Sequence, residues 1–170
     1  MGFTIVELLV VIGVLGIITL SLLATLDPVG QLQKGWDTQR KSDLAQIQKA
    51  LEVYYQDNGR YPAHSVQAGL DYRVVRADNS TSDWGTQWTP YIAKLPKDPS
   101  LSGKRYIYFA TSTGQAYYLY ANLDRGAKDL QACNGGNSCV SITSNAIPAA
   151  SCGSLTQLCN YGVSSSNVSP

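Results

Sequence analysis

Apolar residues are concentrated at the start of this chain of 170 residues. From Leu8 to Leu26 there is no charged residue, and these nineteen positions would form a helix about 28 Å long, close to the thickness of the apolar core of a bilayer. The flanks lack the basic segment and the small-residue cleavage site that are typical of a secretory signal. The pattern therefore predicts a membrane-spanning helix over residues 3–26.

Glu7 lies within the apolar region, one position before the uncharged stretch begins. An ionised group at that depth is costly, so it needs a partner or a function. Water at the membrane interface is one candidate partner, and a positive group on another copy of the chain is the other. If the bond after Gly2 were cut, Phe3 would carry a new α-amino group. Glu7 of a neighbouring copy could then pair with that group and set the register of a polymer.

A second helix is predicted over residues 36–57, here with an amphipathic pattern. Its apolar positions recur at spacings of three and four, namely Leu44, Ile47, Leu51, Tyr54 and Tyr55. Charged residues occupy the other faces, and we expect Arg40, Lys41 and Asp43 among them to be solvated. Asn58-Gly59 ends the helix.

The middle of the chain predicts a loop followed by a small sheet. Residues 63–95 show no sustained period, which indicates a connecting loop with a brief strand at 72–75 and a helical turn at 91–95. Residues 106–110 and 115–121 are rich in tyrosine and flank a glycine-containing turn, a pattern typical of a β-hairpin. Because a lone hairpin is marginally stable in water, we expect it to pack on the apolar face of the second helix.

The C-terminal region is uncharged and contains every cysteine. After Asp129 no charged side chain occurs, and residues 130–170 are rich in Ser, Asn and Gly. The cysteines are Cys133, Cys139, Cys152 and Cys159. Their spacing is not that of a zinc or redox motif, so in an exported domain they predict two disulfides with three pairings open. The local pairs, first with second and third with fourth, close the smallest loops and are favoured over the crossed pairings.

Composition and charge exclude several classes of function. Only 15% of the residues are charged, against about a quarter in a typical soluble domain. Thirteen Lys and Arg against twelve Asp and Glu give a net charge of +1, which argues against a dedicated nucleic-acid binder. The chain has one His and no nucleophile–base, phosphate-loop or paired-carboxylate motif, so we do not expect an enzyme.

The N-terminal segment GFTIVELLVVI, residues 2–12, resembles the class III signal of type IV pilins and of the pseudopilins of type II secretion. The resemblance implies that a prepilin peptidase cuts between Gly2 and Phe3 and N-methylates Phe3. It also implies that Glu7 neutralises the amino terminus of an adjacent subunit, and that an inner-membrane assembly platform and its ATPase machinery build a helical homopolymer. Residues 40–62 and the proline-rich corner at 95–99 resemble the G-type pseudopilins.

An α+β fold follows from this resemblance. It consists of a long N-terminal α-helix spine, with a transmembrane half and an amphipathic half, packed on a small antiparallel β-sheet, and a disulfide-stapled C-terminal loop region. The expected segments are a leader remnant at 1–2, a transmembrane and polymerisation helix at 3–26, the soluble half of helix 1 at 27–62, a globular domain at 63–129, and a polar cysteine-containing region at 130–170.

Calcium is the one cofactor that the resemblance raises. G-type pseudopilins bind calcium near the end of the sheet, which makes Asp124 and Asp129 candidate oxygen ligands. Two acids without an oxygen-dense loop favour solvated surface carboxylates instead. The sequence thus predicts no metal site and no other cofactor.

Two classes of function follow. The first is a structural subunit, and the uncharged, cysteine-bearing tail favours a type IV pilin that is held in the cytoplasmic membrane before assembly and then exposed on the cell surface. The major pseudopilin of a type II secretion system is the alternative within this class. The second class is a membrane-anchored binding domain, either a minor pilin adhesin or an unrelated single-span protein. Motility, adhesion, DNA uptake and secretion all use this scaffold, and the fold does not choose between them.

Overall fold

The computed structural model describes residues 2–25, 27–66, 72–100, 102–148, 152–153 and 157–170. The chain divides into two compact units, Met1–Gly35 and Trp36–Pro170. Each unit is described by itself below.

The first unit contains helix α1, Ile5–Thr25. Thr4 and Glu7 cap its start reciprocally. The backbone amide and hydroxyl of Thr4 donate to Glu7 Oε2 at 3.0 and 2.8 Å, and the Glu7 amide donates to Thr4 Oγ1 at 3.3 Å. In the part of the chain that the structure describes, one segment is long and apolar enough to cross a membrane, Ile5–Leu22, with a mean hydropathy of 2.7.

Helix α2 extends over Pro28–Asn58, so its first turns belong to the first unit and its remainder to the second. Asp27 caps it, because its Oδ1 accepts the backbone N–H of Gly30 at 3.1 Å, and Pro28 fits the first helical position, where no N–H is needed. The helix thus begins earlier than the 36–57 pattern predicted.

The second unit is built on the apolar face of α2. Leu44, Ile47 and Leu51 are fully buried in one core with Tyr108, Tyr117 and Leu119 of the main sheet and with Tyr106, which directly precedes its first strand. The predicted packing of the hairpin on this helix is therefore confirmed.

Two small antiparallel sheets form in this unit. Strands β1, Val74–Val75, and β2, Thr81–Ser82, pair with each other. The main sheet has the order β3-β4-β5, formed by Ile107–Ala110, Tyr117–Ala121 and Tyr161–Ser164. Ile107 pairs with Tyr120 across β3 and β4, and Ala121 pairs with Tyr161 across β4 and β5.

The structure corrects two expectations about the loops. Residues 91–95 do not form a helical turn; Trp88 and Ile92 instead pair as an isolated antiparallel bridge around a cis Thr89-Pro90 bond. The C-terminal region is not a loop alone, because it supplies β5, a 3-10 turn at Cys133–Gly136 and the short helix α3, Val140–Ser144; another 3-10 turn, Gly126–Lys128, lies just before it.

The same C-terminal region buries a second, smaller core. Ile142 and Ile147 pack with three of the cysteines against Ile107 and Tyr120 on the outer face of the sheet. Disulfides join Cys133 to Cys139 and Cys152 to Cys159, the two local pairs. Burial and cross-links thus act together in a segment that is rich in small polar residues.

Candidate functional site

The residues predicted for processing and assembly, Gly2, Phe3 and Glu7, are all exposed. Gly2 precedes α1 with no helical structure, and Phe3 is 86% exposed. The hydrogen bonds to the Glu7 carboxylate all fall on Oε2, from Thr4, and Oε1 has no partner among the described residues. The carboxylate therefore has an oxygen available for a positive group outside the chain.

An almost unbroken apolar surface surrounds Glu7. Every side chain that is described from Phe3 to Leu22 is exposed, and the large apolar ones in this stretch are about half to nine-tenths exposed. A surface of this size and composition is not stable against water. It requires lipid or other apolar helices around it.

The second candidate site is a cluster of charges, which we call the Arg40 cluster; its members are buried except Asp124, whose side chain is 20% exposed. It consists of Asp37, Arg40, Asp98, Lys104 and Asp124. The Arg40 side chain is 0% exposed, and Lys104 is 3% exposed. These residues come from α2, from the loop before β3 and from the loop after β4, so the cluster joins three segments that are distant in sequence.

Arg40 donates four hydrogen bonds to three carboxylates. Its Nε and Nη2 donate to the two oxygens of Asp98 at 2.7 and 3.1 Å, and Nη1 donates to Asp37 Oδ1 and to Asp124 Oδ2, both at 2.7 Å. Asp37 also caps the loop after β4, because it accepts the backbone N–H groups of Asp124 at 2.8 Å and Arg125 at 2.9 Å. The cluster thus positions both the main chain and the side chains of this loop.

These contacts change the acidity of the cluster. Burial alone would raise the pKa of Asp98, but hydrogen bonds from Arg40 and Ser100 outweigh it and hold the pKa below its ordinary value. The pKa of Asp124 is lowered in the same way, with burial outweighed by hydrogen bonds from Lys104 and Arg40. Burial would lower the pKa of Arg40, and its bonds to Asp98 and Asp124 raise it instead. All three groups are therefore charged at neutral pH.

The prediction of a solvated charged face on α2 is wrong for Arg40 and Asp43, which are both buried. Asp43 Oδ2 accepts a hydrogen bond from the hydroxyl of Tyr106 at 2.6 Å. Burial is the main cause that raises the pKa of Tyr106, and this hydrogen bond is the second. The sequence contained the signal. Asp37 and Arg40 continue the same spacing of three and four that carries Leu44, Ile47 and Leu51, so the buried face extends toward the start of the helix with paired charges in place of apolar residues.

The two candidate calcium ligands lie near each other in sequence and are both engaged in ion pairs. Asp124 Oδ1 accepts Lys104 Nζ and its Oδ2 accepts Arg40 Nη1. Asp129 Oδ2 accepts Lys41 Nζ, and its Oδ1 accepts the backbone N–H of Gln131 at 2.9 Å. Calcium at either carboxylate would lie beside a fixed cation that repels it. Among the described residues, no group of three or more His, Cys, Asp or Glu is arranged to hold a metal ion.

Backbone hydrogen bonds join the two disulfide-bonded segments near the Arg40 cluster. The Cys139 amide donates to Cys159 O at 3.0 Å, and the Cys133 amide donates to Asn160 O at 2.8 Å. The Asn160 side chain then bonds both backbone groups of Leu123, accepting its N–H at 2.6 Å and donating to its carbonyl at 3.0 Å. The backbone of the loop after β4 is therefore bonded to Asp37 of α2 and to Asn160 of the C-terminal region.

Comparisons with known proteins identify the family. The family model described as type II secretion system (T2SS), protein G matches residues 28–141. Type II secretion system core protein G of Pseudomonas aeruginosa is 33% identical over 120 residues, which are 71% of this chain and 80% of that protein.

Two further relatives bear the same name. The core protein G of Aeromonas hydrophila is 34% identical over 98 residues, 58% of this chain and 66% of that protein, and that of Pectobacterium carotovorum subsp. carotovorum is 33% identical over 98 residues, 58% of this chain and 60% of that protein. No solved structure matches the chain. The chain therefore belongs to the type II secretion system protein G family, the pseudopilins, and is a pilin-like structural protein rather than an enzyme.

Proposed function

We propose that this chain is the major pseudopilin of a type II secretion system. The observation that carries the proposal is the match to protein G over residues 28–141, supported by relatives that are named as core components of that system. The sequence pattern alone favoured a pilin of a surface fibre. The comparisons support the pseudopilin alternative better, and none of the relatives reported above has a name that refers to adhesion or motility.

Assembly follows from the N-terminal unit. A prepilin peptidase cuts between Gly2 and Phe3 and methylates the new amine of Phe3. The apolar surface of α1 holds the subunit in the inner membrane before assembly, and the same surface packs against α1 of other subunits afterwards. Glu7 pairs with the Phe3 amine of a neighbour, which satisfies both charges in a medium where neither is tolerated alone. The resulting short fibre lies in the periplasm.

Gene deletion in the native host tests this proposal. We expect the deletion to stop the secretion of proteins that the type II system exports and the wild-type gene to restore it. A Gly2→Val variant, which should not be cleaved after residue 2, should not restore secretion. Continued secretion together with loss of surface fibres would overturn the pseudopilin assignment and favour the pilin. Asp57→Ala, at an exposed acid on α2, is the matched control and should restore secretion fully.

A further inference from the structure

The loop after β4 brings negative charge into a region that is already acidic. Asp124 lies at Arg40 beside Asp37 and Asp98, and Asp129 follows in the same loop. Like charges packed this closely repel one another strongly away from bulk water. The loop can close only if positive charge is supplied at this place.

Side chains of the protein supply that charge. Lys104, from the loop before β3, contacts Asp124 Oδ1, and Arg40 contacts Asp124 Oδ2 at 2.7 Å. Lys41 contacts Asp129 from α2 and is also bonded to Gln131 Oε1 at 2.8 Å. The two carboxylates of the loop, Asp124 and Asp129, are thus both paired with cations that lie outside the loop.

Backbone carbonyls of the loop also take part in its fold. Protein N–H groups donate to four of them: Asn160 Nδ2 to Leu123 O at 3.0 Å, Lys128 to Arg125 O at 2.8 Å, Asp129 to Gly126 O at 3.0 Å, and Ala132 to Asp129 O at 3.1 Å. Calcium takes six to eight oxygen ligands, and backbone carbonyls are common among them. Here four of them already accept hydrogen bonds that fold the loop.

Close backbone packing fixes the same arrangement. A Cβ on Gly126 would lie 2.4 Å from Asn160 Nδ2, and a Cβ on Gly136 would lie 2.4 Å from the Ala127 nitrogen. The two 3-10 turns can approach each other because these positions are glycines. A side chain at either position would push the two turns apart.

We propose that the loop after β4 is closed by the chain's own cations, Lys104 and Arg40, and that this pseudopilin folds independently of calcium. The Lys104 ammonium and the Arg40 guanidinium contact the two oxygens of Asp124 and supply the positive charge that a divalent cation would otherwise supply. This inference concerns the folding of the second unit and does not depend on the role of the fibre in secretion.

The test uses the full chain in detergent micelles, with unfolding followed by the fluorescence of its three tryptophans. An ion held at one hundred times its Kd would raise Tm by about 5–10 °C in a chain of this size. We expect Tm to be the same within about 1 °C in EDTA and in millimolar calcium. A fall of about 5 °C or more in EDTA that calcium reverses would overturn the proposal.

Substitution of Lys104 tests the second part of the proposal, that this lysine stabilises the closed loop after β4. Lys104→Met should lower Tm by about 4–10 °C, whereas Lys128→Met, at an exposed lysine of the same loop, should change it by less than about 2 °C. Lys104→Met leaves Asp124 paired with Arg40 alone, so adding Asp124→Asn removes the excess negative charge and should recover part of the loss. Equal Tm values for the two lysine variants would contradict the role of Lys104. If Lys104→Met does not fold at all, the comparison of EDTA with calcium on the wild-type chain still decides the question.

Discussion

Arg40 donates two parallel hydrogen bonds to Asp98, from Nε to Oδ2 at 2.7 Å and from Nη2 to Oδ1 at 3.1 Å. The residues are 58 positions apart in the chain, and their side chains are 0% and 1% exposed. A planar bidentate pair fixes orientation as well as distance. This pair therefore ties α2 to the loop before β3, and through Nη1 of Arg40 to the loop after β4.

Removal of the guanidinium should destabilise the second unit strongly. Arg40→Met leaves Asp37, Asp98 and Asp124 close together with Lys104 as their remaining cation in the cluster. We expect the free energy of unfolding to fall by about 3–5 kcal/mol, the usual cost of leaving buried charges unpaired. Urea unfolding of the full chain in micelles measures it.

Arg60→Met is the matched control for this variant, because Arg60 is exposed near the end of α2. It should change the free energy of unfolding by less than about 0.5 kcal/mol. Equal losses from the two arginine variants would show that the Arg40 cluster does not stabilise the fold.

Acid should unfold the second unit through the same cluster. The pKa values of Asp98 and Asp124 are lowered in the folded chain, because hydrogen bonds from cations and from Ser100 outweigh burial. A lowered pKa gives stability that is fully present above the ordinary Asp pKa of about 3.9 and is lost as pH falls through the folded value. We expect the urea midpoint to be level near neutrality and to fall below about pH 4.

Arg40→Met should make this acid dependence shallower, since the carboxylates then lose the partner that lowers their pKa. A wild-type midpoint that does not change on acidification would contradict the charged state assigned to the cluster.

Loss of one disulfide should loosen β5. Cys133→Ser with Cys139→Ser removes a short cross-link next to the Asn160 contacts, and we expect a loss of about 2–3 kcal/mol from the unfolded-state entropy of a loop this short. Hydrogen exchange should quicken at the β5 amides before those of β3. Equal exchange in the two strands would show that the cross-link does not hold β5.

The disulfide pairing itself can be checked by non-reducing peptide mapping. Trypsin cannot separate the four cysteines, because no Lys or Arg follows Lys128. Thermolysin cuts at the apolar residues between them and should release linked fragments that contain Cys133 with Cys139 and Cys152 with Cys159. Free thiols or crossed fragments would contradict the pairing.

Glu7→Gln separates the two roles open to this side chain. Glutamine can still accept the bonds from Thr4 that cap α1, but it has no charge to offer a neighbouring amine. We expect assembly to fall equally in Glu7→Gln and in Glu7→Ala, measured as the yield of fibres from cells that overproduce each variant. Normal fibres from Glu7→Gln would mean that the residue only caps the helix.

Sequence patterns predicted the elements that show a regular spacing of apolar residues along a short stretch of chain. The spacing of Leu44, Ile47 and Leu51 predicted the buried face of α2, and the tyrosine-rich segments predicted β3 and β4. Both depend on contacts that a helix or a hairpin makes with itself or with one neighbour. The α+β fold could therefore be inferred before the structure.

The missed features depend on contacts between distant segments. β5 lies in a region with no strand pattern, and it forms because pairing with β4 and the nearby disulfides fix it there. The burial of Arg40 depends on Asp98 and Asp124, which are far from it in sequence. A charged residue on a helix is usually solvated, and only the partners show that this one is not.

The most direct test of the account is the N-terminus of the subunit within assembled fibres. Fibres sheared from cells that overproduce the chain should be analysed by intact mass and by sequencing of the N-terminal peptide. A subunit that begins at N-methylated Phe3 would establish cleavage after Gly2 and membership of the fibre together, as the account predicts. A chain that retains Met1 and Gly2 and is found in membranes alone would contradict it and indicate a monomeric anchor.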